Sequence, residues 1–354
     1  MTITFRAKTP EDLLAAIPVT LGFEPRDSIV MLTFGGAQPL HARIDLPPRG
    51  DPLALEGVVA ALLDACRRNP AARTVFVLYC SGAAHGRRIA RRLRREFERA
   101  AIEVVDCLRV DGGRWYSADG RRAGVPSEGV PYDSSGHPFR AQAVMAGHVT
   151  LGSRDELAAS IAAVPEGCDA VRAALGDAVL LSAEGLAALC RRHASAGTSP
   201  TDQEVAALLL TLQLASRRDA AWAPLTREVA GEHVLLWRDV VRRAPEELMP
   251  AAAAVLGFAA WLHGDGALAW CALDRCLKRA PEHRLGTLIA AMLAGALPPS
   301  AWAAMQESLA EVAAPADALD LARMAAHQEV GGEPATGDVE EGRGEDGIGQ
   351  WRAC

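Results

Sequence analysis

Thr74-Val-Phe-Val-Leu-Tyr79, Gly86 to Ala100, and Ile102-Glu-Val-Val-Asp-Cys-Leu-Arg-Val110 read as a strand, a helix and a strand. The first run is apolar enough to be a central strand, covered on both faces. The second places Ile89, Leu93 and Phe97 four residues apart, a narrow helical stripe. The third returns to β-rich composition. A strand, a helix and a strand in this order call for parallel pairing through a right-handed crossover. Asp111-Gly112-Gly113 then turns the chain into Arg114-Trp-Tyr-Ser117, an antiparallel hairpin, so the sheet is mixed.

Working back toward the start, Leu53 to Arg68 reads as a helix stopped by Asn69-Pro70. Before it lie two further strands, Ser28 to Phe34 and Leu40 to Leu46, joined by Gly35-Gly36-Ala37-Gln38-Pro39 as a hairpin. In the second of these His41, Arg43 and Asp45 share one face and Ala42, Ile44 and Leu46 the other. Thr9-Pro10-Glu11-Asp12 carries a helix start: an N-cap hydroxyl, proline at the first position and acids at the positive end of the dipole. Residues 1–150 are therefore expected to form an α/β unit with a mixed sheet. Residues 119–138, rich in Gly, Ser, Pro and Asp, are expected to be a long loop.

From about residue 153 the hydrophobic rhythm is helical throughout, and residues 151–328 are expected to form an all-helical unit of antiparallel hairpins. The spacing predicts helices over 155–164, 183–194, 201–216, 227–243, 246–263, 267–279, 284–296 and 300–312. A weak tetratricopeptide-like repeat runs through it. Gly257, Ala269 and Leu273 supply the small, small and large positions, Gly264-Asp265-Gly266 the turn, and Pro281 and Pro315 lie 34 residues apart. The second copy fits less well, with Glu307 where Leu belongs. Residues 329–354, with seven acidic and two basic side chains, are expected to be a disordered acidic tail.

Composition bounds the function. The 354 residues carry 37 basic and 44 acidic side chains, so nothing global points to nucleic acid. Residues 1–160 are slightly basic, with 21 basic and 18 acidic groups, and Lys8 and Lys278 are the only lysines. The eight cysteines are scattered in apolar runs without Cys-x-x-Cys spacing, so neither a metal site nor a cofactor is expected. The N-terminus lacks signal-peptide character. Apolar stretches such as 251–262 are too short to span a bilayer. A cytoplasmic protein without membrane contact is expected.

Four separated blocks then agree in order with one family. Leu13-Leu-Ala-Ala-Ile-Pro-Val-Thr-Leu-Gly-Phe-Glu-Pro-Arg-Asp-Ser-Ile-Val-Met31, Ala42-Arg-Ile-Asp-Leu-Pro47, Pro131-Tyr-Asp-Ser-Ser135 and Gly257-Phe-Ala-Ala-Trp-Leu-His-Gly-Asp-Gly-Ala-Leu-Ala-Trp-Cys-Ala-Leu-Asp274 resemble the "domain of unknown function 4192" family. The resemblance covers residues 5–315. It implies an actinobacterial, cytoplasmic protein, in keeping with the arginine-for-lysine bias, and brings no activity, cofactor or catalytic residue with it.

Candidate sites rest on the residues themselves. Tyr79-Cys-Ser-Gly-Ala-Ala-His-Gly-Arg-Arg88 is a strand-to-helix turn where Ser81, Gly82, Gly86, Arg87 and Arg88 could hold an anion. It matches neither standard glycine-rich phosphate loop, and any crossover helix needs such a turn. The arginines at 87, 88, 91, 92, 94, 95 and 99 form a face for RNA, phosphate, an acidic partner or the protein's own tail, or simply a solvated surface. Lacking interleaved aromatics, the face carries no signature of specific nucleic-acid recognition. Gly22 to Ser28 reads as turn chemistry, since an Asp27–Ser28 pair lacks an adjacent base.

Asp133, Ser135 and His137 bring a carboxylate, a hydroxyl and an imidazole to one loop, with Arg43 and Asp45 as further catalytic candidates. The same residues are ordinary loop formers, and no nucleophile-elbow pattern accompanies them. The leading expectation is a non-catalytic scaffold or regulatory protein. Its helical half would take a protein partner and its α/β half a small anionic ligand; oligomeric state is left open. The rival is a hydrolase or phosphate-ligand enzyme built on the 132–137 loop.

Overall fold

A computed structural model describes residues 6–36, 40–145, 149–310 and 351–353. The α/β half contains α1 (Pro10–Leu21), β1 (Ser28–Phe34), β2 (His41–Asp45), α2 (Pro52–Arg68), β3 (Arg73–Tyr79), α3 (Ala83–Arg99), β4 (Glu103–Asp111), β5 (Arg114–Ser117), β6 (Val130–Pro131) and α4 (Pro138–Met145). The helical half contains α5 (Arg154–Ala159), α6 (Pro165–Ala174), α7 (Ala183–Ala196), α8 (Asp202–Thr211), α9 (Ala215–Trp222), α10 (Arg227–Arg243), α11 (Met249–His263), α12 (Gly266–Arg279), α13 (Arg284–Ala294) and α14 (Trp302–Ala310). A last short strand, β7 (Trp351–Ala353), returns to the sheet. The rest of the acidic tail, residues 329–350 and Cys354, lies outside the described residues.

The sheet runs β6-β5-β4-β3-β1-β2-β7. β3 and β4 pair in parallel through α3, while β1–β2, β1–β3 and β4–β5 are antiparallel, so the mixed sheet is as the hairpins and crossover require. β1 and β3 are buried along nearly their whole length, as central strands must be. On one face Ile29, Met31, Phe76, Leu78 and Cys107 pack against α2 and α3. On the other, Val30, Leu32, Val75, Val77 and Leu108 meet α1. That second apolar cluster runs on through Phe23, Leu157 and Ile161 into the helical half. The rhythm thus changes near residue 150, yet the core does not break there. Phe23 and Leu151 form a parallel bridge, with Glu24 N donating to Leu151 O at 2.9 Å. Asn69 Nδ2 donates to Ala296 O at 2.7 Å across the same division.

In the helical half α11 is the axis. Its neighbours include α10, α12 and α13, and 14 of its 15 residues are buried. Alanines let the neighbours approach closely, and a Cβ on Gly257 would meet Leu273 Cδ2 at 3.1 Å. Gly257, Ala269 and Leu273 therefore do meet as the repeat pattern requires. Full enclosure, however, makes a globular bundle rather than an open stack with a concave face. Trp222, Phe258, Trp261 and Trp302 pack ring against ring at centroid distances of 4.8–6.4 Å.

Local chemistry explains where periodicity alone misleads. The single helix expected over 201–216 is two helices. Thr211 Oγ1 donates to Ala207 O at 2.7 Å and accepts from Leu181 N at 3.0 Å, and Leu214 turns extended to start α9. The helix over Pro165–Ala174 begins with proline at its first position, a start signal that its weak apolar stripe hid. α4 follows directly on the long loop, and His137 ties its start to α1.

Candidate functional site

Three places in the α/β half gather chemically able side chains. The first is a groove of about 510 Å³ between α2 and α3. α3 supplies Ala84, Arg87, Arg88, Arg91, Arg92 and Arg95; α2 supplies Pro52, Leu55 and Glu56. The helix is oriented by its buried side, where Ile89, Ala90, Leu93 and Phe97 meet the sheet. Arg94 departs from the expected outer face. It is buried, and its guanidinium donates to Asp119 Oδ2 at 2.5 Å and to Val104 O. Arg92 lies 3.6 Å from Glu56 and 3.5 Å from Glu96, and Arg95 lies 3.3 Å from Glu96. Arg87, Arg88 and Arg91 have no counter-ion among the described residues. Within the groove five guanidiniums face a single carboxylate, that of Glu56.

The second place is an opening of about 390 Å³ at the C-terminal end of β3, lined by Asp27, Asp45, Arg49, Cys80, Ser81 and His85 among others. Arg49 fills the strand-to-helix turn: its Nη2 donates to Ser81 O at 2.6 Å and to Ser81 Oγ at 3.3 Å. Gly82 has φ 102° and no side chain to cap α3, and a Cβ there would stand 3.1 Å from Arg49 Nη2. His85 Nε2 lies 3.2 Å from Pro47 O. Gly86 serves a different contact: a Cβ there would meet Arg109 Cδ at 2.8 Å. Arg109 is buried under it, donating to Cys80 O at 3.1 Å and to Asp111 Oδ2 at 2.7 Å, with its guanidinium 3.9 Å from the Tyr116 ring centre. Two carboxylates beside one guanidinium that is already engaged make this opening a poor seat for an anion.

The five residues suggested as one anion site thus divide. Arg87 and Arg88 open on the groove, Ser81 lines the strand-end opening, and Gly82 and Gly86 make room for Arg49 and Arg109. Arg109 escaped the sequence reading, its only hint a charge inside an otherwise apolar strand, and Arg94 was expected on the outer face with its neighbours.

The third place is the loop before α4. Asp133 Oδ1 accepts from Ser135 N at 2.8 Å, and hydrogen bonds from Ser135 backbone and side chain hold the Asp133 carboxyl below the usual carboxylate value. His137 Nε2 lies 3.2 Å from Asp12 Oδ1, and its ring packs edge-on to Phe139 at 4.6 Å. Asp12 is also the reciprocal member of the α1 capping box, accepting from Thr9 N. Its carboxyl is held low first by the Lys8 backbone N–H. Asp133, Ser135 and His137 thus form a turn and a helix tie. Arg43 and Asp45 pair with each other at 2.5 Å on β2. The two groups are not joined by any hydrogen bond or ion pair among the described residues.

Other reactive groups are held quiet. The seven cysteines described are free and buried, and burial pushes the Cys66 thiol up to about 11 and those of Cys107 and Cys190 up to about 12. Among the described residues no group of three or more His, Cys, Asp or Glu could hold a metal ion. No helix among them is long and apolar enough to cross a membrane.

No curated protein and no solved structure matches the chain. A family model described as "Domain of unknown function (DUF4192)" matches residues 10–300, from the start of α1 to the edge of α14, so both halves and the groove between α2 and α3 fall inside it. The chain belongs to the DUF4192 family.

Proposed function

We propose that this chain is a binding protein whose α/β half holds a small, multiply charged oxyanion in the groove between α2 and α3. One observation carries the reading: five guanidiniums line one groove against one carboxylate, and three of them have no counter-ion among the described residues.

The energetics support it. Arg87–Arg91, Arg88–Arg92 and Arg91–Arg95 are like-charge pairs one helical turn apart, each costing about 0.2–0.5 kcal/mol. The first turn of α3 carries no acid to favour the helix dipole. The outer face of α3 is thus charged at some expense to the helix. A phosphate or carboxylate ligand relieves that repulsion and takes paired N–H donors from planar guanidiniums. No aromatic side chain lines the groove, so nothing there stacks on a nucleobase. The groove and the strand-end opening both lie in the α/β half, which supports ligand recognition on that side.

Calorimetric titration of the full chain with inorganic tripolyphosphate, with citrate as the carboxylate counterpart, tests this. Binding that weakens with salt, and at least tenfold in an R88Q/R91Q variant, is the expected result. Equal affinity in wild type and variant, or no binding of either anion, rejects it.

A further inference from the structure

We infer that the acidic segment 333–346 of the same chain docks in the arginine groove and competes there with outside anions. This rests on the reading of the groove as an oxyanion site, and register, reach and charge support it.

Register comes from β7. It pairs antiparallel with β2, Ile44 opposite Trp351 and Ala42 opposite Ala353. Trp351, the first residue of β7, therefore sits next to Asp45, at the C-terminal end of β2. Asp45 is opposite Ser28, and Ser28 is opposite Tyr79, so β3 ends at this same end. α2 starts at Pro52 and α3 at Ala83, each a few residues beyond these strand ends. The N-terminal parts of both helices, which wall the groove, thus rise from the end of the sheet where the tail emerges.

Reach follows from the spacing. Asp346 and Glu345 precede Trp351 by five and six residues, so an extended chain spans about 17–20 Å before meeting them. That exceeds the width of a helix, about 10–12 Å. β3, which leads into α3, lies three strands from β7, about 14 Å away, and the helix layer adds about 10–12 Å. Glu341 and Glu340, ten and eleven residues before Trp351, command about 33–40 Å of extended chain, long enough to span that.

Charge completes the case. Residues 333–346 carry six carboxylates and one guanidinium, and Val339 is their only large apolar side chain. The groove offers five guanidiniums against Glu56. Because β7 tethers the segment beside its target, its effective concentration at the groove is high, in the millimolar range for short linkers. Weak carboxylate–guanidinium contacts suffice under those conditions.

The test compares the full chain with an E340Q/E341Q/E345Q/D346N variant, which keeps the length and leaves β7 untouched. Arginine modification by phenylglyoxal, followed residue by residue with peptide mass spectrometry, reads occupancy of the groove directly. Arg87, Arg88 and Arg91 are expected to react several-fold faster in the variant, with exposed Arg68 unchanged. The variant is also expected to bind tripolyphosphate several-fold more tightly. Equal reaction rates overturn the docking of the tail; if tripolyphosphate still shields the three arginines, the groove reading survives that result. Faster reaction with no tripolyphosphate binding in either protein upholds tail docking and rejects the small-anion reading. Protection that disappears on hundredfold dilution assigns the groove to the tail of a second copy and overturns docking within one chain.

Discussion

α3 and α11 are helices of similar length, 17 and 15 residues, with opposite relations to their surroundings. α11 buries almost every side chain, and packing accounts for each position: alanines for close approach, Phe258 for the ring cluster, Gly257 to admit Leu273. α3 buries one stripe and turns guanidiniums outward, where neither packing nor ion pairing among the described residues accounts for Arg87, Arg88 and Arg91. A residue that the fold explains needs no ligand. One that the fold merely tolerates, at a cost in like-charge repulsion, is where a ligand belongs.

Substitutions test this contrast. The largest effect is expected at Phe258→Ala, in the middle of the three tryptophans, with a loss of about 3–5 kcal/mol in denaturant unfolding. A loss below 1 kcal/mol would mean that α11 is not the axis of the bundle. Next comes Arg94→Met, which strands the buried Asp119 carboxylate and is expected to cost about 3 kcal/mol. This substitution separates the buried arginine of α3 from the arginines that line the groove.

A pH effect follows from His233. Burial lowers its imidazole to about 4, against an ordinary 6.5. Below pH 6.5 the unfolded chain takes up a proton that the folded chain refuses until about pH 4. Stability therefore falls as pH drops through that window and levels off beneath it, by about 2–3 kcal/mol for this group. His283, also lowered to about 4 by burial, adds to the slope. His233→Leu is expected to flatten the stability profile in that window without abolishing its slope, and an unchanged profile would refute the assignment. The smallest effect is expected at Arg91→Ala: a change within 0.5 kcal/mol, with a slight gain if relief of repulsion from Arg87 and Arg95 outweighs the lost side-chain contacts.

Local signals made much of the fold legible. Apolar runs at 74–79 and 102–110 flanking one helical stripe gave the parallel pair, and glycine-bearing turns gave the hairpins. Gly257, Ala269 and Leu273 announced the α11–α12 contact. What stayed hidden is non-local. Arg94 looks like its neighbours until Asp119, 25 residues on, is brought beneath it. Gly86 reads as a ligand-approach glycine until Arg109 is seen filling the space. The arginine face was visible along α3, but its opposing wall comes from the start of α2, which no spacing rule connects to it. β7 could not be foreseen either, because three residues at the end of an acidic stretch carry no periodicity.

The outward guanidiniums of α3 serve a ligand or they serve the fold. The melting temperature of an R87Q/R88Q/R91Q variant, with and without tripolyphosphate, tests this in one measurement. The free variant is expected to melt within a degree or two of wild type, and saturating anion to raise only the wild-type temperature. A free variant that melts many degrees lower, or one that the anion still stabilises fully, would contradict the ligand role.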